Sequence, residues 1–183
     1  MKKISYYIGN SLIIFSLCGF IFLFYPLLSS YFFPATIPAP AERGFALWIP
    51  KIHASAQIIP NVDPWSEASY RPALKKGVAL ARGFSLPGQH GTVYLFAHSS
   101  GPPWEQTRNN TVFLRLPELE KGDNIVIWRE HKEYNYKVVS MVEVSPADVS
   151  KVTGLKGDHL VLQTCTPIGT DWKRLLIFAT EEK

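Results

Sequence analysis

Leu160 to Ala179, "LVLQTCTPIGTDWKRLLIFA", contains two apolar runs of strand length separated by a turn-forming stretch. "LVL" is apolar at consecutive positions, as in a strand covered on both faces, so the first run reads as a central strand. Thr166, Pro167 and Gly169 end it at once. The second run, "RLLIFAT", opens on Arg174. Strand alternation places Leu160, Leu162 and Thr164 on one face of the first run and Val161, Gln163 and Cys165 on the other. If the two strands pair, a thiol at one strand end faces a permanent cation at the start of the next.

The upstream sequence continues in the same style. "FALWIP" and "AQIIP" read as a first pair of strands, each closed by a proline. One helical turn is predicted near Asp63 or Ser66, then a strand at "GVALA" and a turn at "SLPGQHG". "TVYLFAH" is strongly β-prone and is predicted to end at His98. "SSGPPWEQTRNN" reads as an irregular loop. "VFLRLPELEKGD" carries a short helical piece broken at Pro117 and closed at Gly122. "NIVIWRE" and "EYNYKVVSMVEV" form a predicted hairpin with its turn at His131–Lys132, and Tyr134, Tyr136 and Val138 line one face. Ser145, with Pro146 behind it, is a helix-start signal. Seven or eight strands with only short helical turns and no repeats make an all-β barrel or sandwich.

The N-terminus differs from all of this. From Tyr6 to Phe33 there is no Asp, Glu, Lys or Arg. A bilayer-spanning helix needs roughly 20 apolar residues, whereas a signal peptide's apolar core is typically about 7–15 and ends in a small-residue cleavage site. The stretch is therefore read as an uncleaved transmembrane signal-anchor. Lys2 and Lys3 assign residues 1–5 to the cytoplasm and the rest to the extracytoplasmic side. The predicted layout is residues 1–5 cytoplasmic, 6–33 in the membrane, a Pro/Ala-rich linker at 34–44, and a single domain at 45–183. The net charge is +4, of which Lys2 and Lys3 supply two units. No basic run with interleaved aromatics occurs, so nucleic acid is not an expected partner.

Chemistry centres on the thiol. The chain has two cysteines. Cys18 lies in the apolar stretch, so Cys165 is the only thiol of the domain and cannot form an internal disulfide. Such a cysteine is buried and inert, linked to another chain, or reactive. A thiol with a free pKa of about 8.5 becomes a nucleophile when a cation lowers that value, and Arg174 is such a cation. A proton donor for a leaving amine is usually histidine. His53, His90, His131 and His159 read as surface positions at strand starts or turns. His98 ends the most apolar strand and opens the longest loop.

Together these residues resemble the sortase family, the membrane-anchored cysteine transpeptidases of bacterial surfaces. The family's cysteine motif is Thr-Leu-x-Thr-Cys, and "LVLQTC" departs from it only in Val161. Arg174 opens the following strand, and "LPGQHGTVYLFAHSS" matches through His98. "IPKI", "ALKKGVA", "LEKGD", "YNYKV" and "SPADV" follow the family's order from about Phe45 to Thr180. The resemblance implies a closed eight-stranded barrel behind one transmembrane helix, with Cys165, His98 and Arg174 catalytic. It implies that Thr164 lines the peptide groove and that Ser99 and Thr166, beside the catalytic pair, bind substrate. Ser145–Asp158 corresponds to a loop that often sets substrate choice. No metal or cofactor is implied. The expected partners are proteins bearing an LPxTG-like signal, cleaved between Thr and Gly, and an amine acceptor on the cell wall or on a pilin-like protein.

"DPW" at Asp63–Trp65 resembles the lid motif of pilus-building members but follows the first strands, so it is not assigned as a lid. The "SLPG" at Ser85–Gly88 lacks the following Thr-Gly, and no hydrophobic tail follows "IFATEEK"; the chain reads as the enzyme and not its substrate. An L,D-transpeptidase would carry Ser-x-Gly-Cys where this chain has Gln163, Thr164 and Cys165. The remaining alternative is a membrane-anchored β-barrel binding or adhesion module with an inert cysteine.

Overall fold

The two apolar runs on either side of the 167–172 turn are adjacent antiparallel strands. The computed structural model describes residues 2–32, 44–99, 111–148, 152, 154–155 and 157–182. A long helix, α1 (Lys2–Phe32), precedes eight strands: β1 (Ala46–Ile49), β2 (Ala54–Val62), β3 (Val78–Ala81), β4 (Thr92–Phe96), β5 (Asn124–Arg129), β6 (Lys132–Val144), β7 (His159–Thr166) and β8 (Lys173–Glu181). A second helix, α2 (Glu67–Leu74), lies between β2 and β3. The strands close into a barrel in the order β1-β2-β3-β4-β7-β8-β6-β5. The alternatives left open by strand count are thus resolved in favour of the barrel.

β7 sits between a parallel neighbour, β4, and an antiparallel one, β8. Leu160, Val161 and Leu162 are all fully buried, which is why the run is apolar on both faces. Leu160, Leu162 and Thr164 share the barrel interior with Val93, Leu95 and Ala97 of the β4 side and Leu175, Ile177 and Ala179 of β8, all buried. Val161, Gln163 and Cys165 stand on the outer face. In β6 the alternation is as expected, with Tyr134, Tyr136 and Val138 buried among exposed neighbours.

Several local expectations are corrected. β2 is not closed by Pro60 but runs through it to Val62. The register against β3 shifts between Ile59 and Val62, and Asn61 has a φ of 58°. A proline, lacking an N–H, is tolerated at such a bulge. The single predicted helical turn is the eight-residue α2, following Ser66. The hairpin turn is Glu130–His131, one residue earlier than expected, with φ of 52° and 63°; two positive φ values define the tight turn that matches strand twist. Pro117 does not break a helix but lies within a short 3-10 turn, Leu116–Glu118. At Ser145 a turn closes, with Asp148 N–H donating to the Ser145 carbonyl at 3.0 Å, and the continuation of the predicted helix lies outside the described residues. So do most of the linker and of the loop after Ser99.

α1 is long and apolar enough to cross a membrane over Tyr6–Tyr25, and none of that span is buried against the barrel.

Candidate active site

Three adjacent strand ends, those of β4, β7 and β8, carry the residues that the sequence singles out. Cys165 is the next-to-last residue of β7 and is directly paired with Arg174, the second residue of β8. Directly opposed residues on neighbouring strands project to the same face with Cβ atoms about 4.5–5.5 Å apart. The thiol and the guanidinium therefore share the outer face of the wall, as strand pairing required.

His98 arrives from the other side. β4 ends at Phe96, two residues before the expected end, yet the parallel register with β7 carries on. Phe96 pairs with Gln163, and the Ala97 N–H donates to the Gln163 carbonyl at 3.1 Å. The Thr164 hydroxyl donates to the Ala97 carbonyl at 3.0 Å. One further step of the same register sets His98 level with Cys165. The histidine is half-buried and Ser99 behind it is buried.

The remaining predicted residues are placed differently from one another. Thr164 is only 1 % exposed, with its hydroxyl on the interior side and engaged by Ala97. Thr166, also buried, donates to Glu143 Oε1 at 3.4 Å, and that carboxylate is held in turn by Lys173 Nζ at 2.8 Å. His90, His131 and His159 lie at the opposite end of the barrel, in or next to the turns there. His53 lies in the β1–β2 turn, three strands round the barrel from β7. Asp63–Trp65 follow the far end of β2, which is parallel to β3 and so terminates at the end away from Cys165. Asp63 accepts from the Trp65 N–H at 3.0 Å and pairs with Arg82 at 3.4 Å, so this motif is folded against α2's entry and not over the thiol.

Electrostatics at the thiol are opposed. Burial pushes the Cys165 pKa up from its ordinary value, the Arg174 charge draws it down, and Asp171 pushes it up again. Burial dominates, so the resting thiol holds its proton more firmly than a free cysteine. Arg174 donates through Nη1 to the carbonyls of Asp171 at 2.9 Å and Lys173 at 3.2 Å. Among the described residues it forms no ion pair with a carboxylate, and Nε and Nη2 take no part in these two bonds. The β7–β8 loop thereby aims the cation, and its Ile168 and Trp172 are exposed beside the site.

Sequence reasoning missed three contributors. Asp171 is one; its signal was an acidic residue inside the eight-residue connection between thiol and arginine. The others are Tyr94 and Gln163, whose side chains meet on the outer face, the Tyr94 hydroxyl donating to Gln163 Oε1. The lone amide in "LVLQTC" and the phenol in "TVYLFA" were the available signals. No group of three or more His, Cys, Asp or Glu placed to hold a metal occurs among the described residues.

The model of the sortase domain matches residues 47–182. Sortase D of Bacillus subtilis is 30% identical over 145 residues, which is 77% of this chain and 65% of that protein's own length. The solved structure of the Group B Streptococcus pilus island 1 sortase C2 superposes with a TM-score of 0.64 at 26% identity, covering 78% of this chain and 76% of the other. Clostridium perfringens sortase C, solved with the C-terminal cell wall sorting motif, superposes with a TM-score of 0.61 at 26% identity, covering 75% and 69%.

Proposed function

The chain belongs to the sortase family, and on that premise we propose that it is a cysteine transpeptidase that cleaves an LPxTG-like sorting signal between Thr and Gly. The observation that carries this reading is the cross-strand pairing of Cys165 with Arg174, with the chain segment bearing His98 held on the other side of β7. The likeness to a sortase C solved with a sorting motif supports the choice of substrate.

In this reading Cys165 gives its proton to His98, the resulting thiolate attacks the threonine carbonyl carbon, and the C–S bond forms as the carbonyl oxygen takes up negative charge. Arg174 is always protonated and offers donors in a fixed fork, so it stabilises that oxygen as preorganised donors do. The intermediate collapses, the Thr–Gly C–N bond breaks, and the glycine nitrogen takes a proton from the His98 imidazolium. A thioester remains on Cys165. An amine on cell-wall material or on another protein then attacks it, giving its proton to His98, forming a new amide and returning the thiolate. Thr164 acts at one remove, since its hydroxyl is committed to Ala97 and steadies the segment ahead of His98. Ser99 and Thr166 flank the peptide. α1 holds the barrel at the membrane, with Lys2 and Lys3 on the cytoplasmic side and the site outside.

The test is a transfer assay with the full chain in detergent, an LPxTG reporter peptide and triglycine as acceptor. A new amide between threonine and triglycine is expected, lost in Cys165→Ala and not restored to wild-type rate in Arg174→Lys, because the fork geometry is gone. Uncleaved peptide with folded wild-type protein, or wild-type turnover in Cys165→Ala, overturns the reading.

A further inference from the structure

Tyr94 and Gln163 form a polar pair in an otherwise apolar wall. They lie on the same outer face as Cys165, with Gln163 two residues before it on β7 and Tyr94 on β4 beside Val161. The Tyr94 ring is buried, held between Phe84 at 4.8 Å and Phe96 at 6.0 Å between ring centroids. It has little freedom to turn, and its hydroxyl is aimed at Gln163 Oε1. Burial pushes the Tyr94 pKa up, so the hydroxyl remains a donor throughout the usable pH range.

A donor fixed on Oε1 also fixes the amide. With its oxygen turned toward Tyr94, the Gln163 side chain carries its two N–H donors on the other side. Gln163 itself is only half-buried, so those donors are available at the wall. The hydroxyl and the amide oxygen satisfy each other, so the pair carries no unpaired-burial penalty of its own, and what it leaves for another partner is the pair of outward amide N–H donors.

The position of those donors indicates the partner. Two residues along a strand span about 6.7 Å, which is also about two residues of an extended peptide. Beyond Cys165 in the other direction the wall ends in the 167–172 loop, so the continuous surface running from the thiol is the one bearing Gln163. That surface suits the acyl half of a substrate, which must stay bound after the leaving amine departs.

We propose that Gln163, oriented by Tyr94, is a specificity residue that donates a hydrogen bond to an acceptor group in the substrate upstream of the cleaved bond. The inference rests on the transpeptidase reading above. It assigns this enzyme a preference for an acceptor side chain (Asp, Glu, Asn or Gln) over an apolar one in that part of the signal. Sites built to hydrogen-bond a substrate group discriminate against analogues lacking it, because their own polar groups are left unpaired.

The experiment is a competition between two LPxTG-type peptide pools, randomised upstream of Thr with acceptor or with apolar side chains. Each is incubated with the full chain in detergent, and thioacyl adducts are identified by mass. Wild type is expected to favour the acceptor pool about tenfold. Gln163→Leu should abolish that ratio, and Tyr94→Phe should reduce it by freeing the amide. Gln163→Glu, which accepts instead of donating, should shift the preference to Lys- or Arg-bearing peptides, a change that a merely structural role would not produce. Adducts with an unchanged pool ratio in all three variants overturn the proposal and leave the transpeptidase reading standing. No adduct on folded wild-type protein with either pool overturns both.

Discussion

At the residue scale, Cys165 is a thiol whose surroundings pull in two directions. Desolvation raises its pKa, Asp171 raises it and Arg174 lowers it. The thiolate is the reactive form, so alkylation of Cys165 should rise with pH along a curve displaced to higher pH than that of a free cysteine. Asp171→Asn should move the curve to lower pH and Arg174→Ala to higher pH. The sign for stability follows from the same shift. The folded state keeps its proton where the unfolded chain has lost it, so this group's contribution is intact below the unfolded pKa and is lost as pH rises through the folded one. Iodoacetamide labelling followed by mass against pH checks the prediction; a curve that ignores both substitutions would contradict it. The thiol and arginine were legible because each stands at the end of an unmistakable apolar run. Asp171 was not, because its effect depends on how the loop folds back. The Tyr94–Gln163 contact joins positions 69 residues apart, and nothing local in either strand announces the other.

At the scale of elements, the site depends on how β7 is clamped on both sides. The β8 clamp is a full antiparallel ladder through Thr166↔Lys173. The β4 clamp outlasts β4 itself, through the Ala97–Gln163 and Thr164–Ala97 bonds. Thr164→Val keeps the shape and removes the second bond, leaving a buried carbonyl short of a partner. Loss of about 1–3 kcal/mol is expected on thermal or denaturant unfolding. In the transfer assay kcat should fall with KM little changed, since the substitution loosens the segment carrying His98. Wild-type kcat with the full stability loss would show that the bond serves the barrel alone. The strands themselves were readable from period and composition. Their ends were less so: Pro60 is carried through by a bulge, the hairpin turn is fixed by backbone twist at Glu130–His131, and β4 stops short of His98 while its register continues. Each of these is decided by the neighbouring strand and not by the run in question.

At the scale of the whole molecule, a barrel and an apolar helix share one chain. The barrel buries a continuous core, while the Tyr6–Tyr25 span contributes nothing to it. A chain lacking residues 1–43 should therefore keep cooperative unfolding and a native near-ultraviolet spectrum while moving from the membrane fraction to the soluble one. Loss of the cooperative transition would show that the N-terminal segment completes the fold. Closure of the barrel was not legible from strand count, which allowed a sandwich equally well; it is the pairing of β1 with both β2 and β5 that removes the free edges. At all three scales the closed wall is proposed to present Cys165 as a nucleophile toward a sorting signal. The most direct measurement is the intact mass of the full chain after incubation with an LPxTG peptide library, with Cys165→Ala alongside. A thioacyl adduct on Cys165 that ends at threonine and lacks the glycine side is expected, and it is absent in Cys165→Ala. Folded protein that gains no mass from any peptide, or an adduct that survives the loss of Cys165, would contradict it.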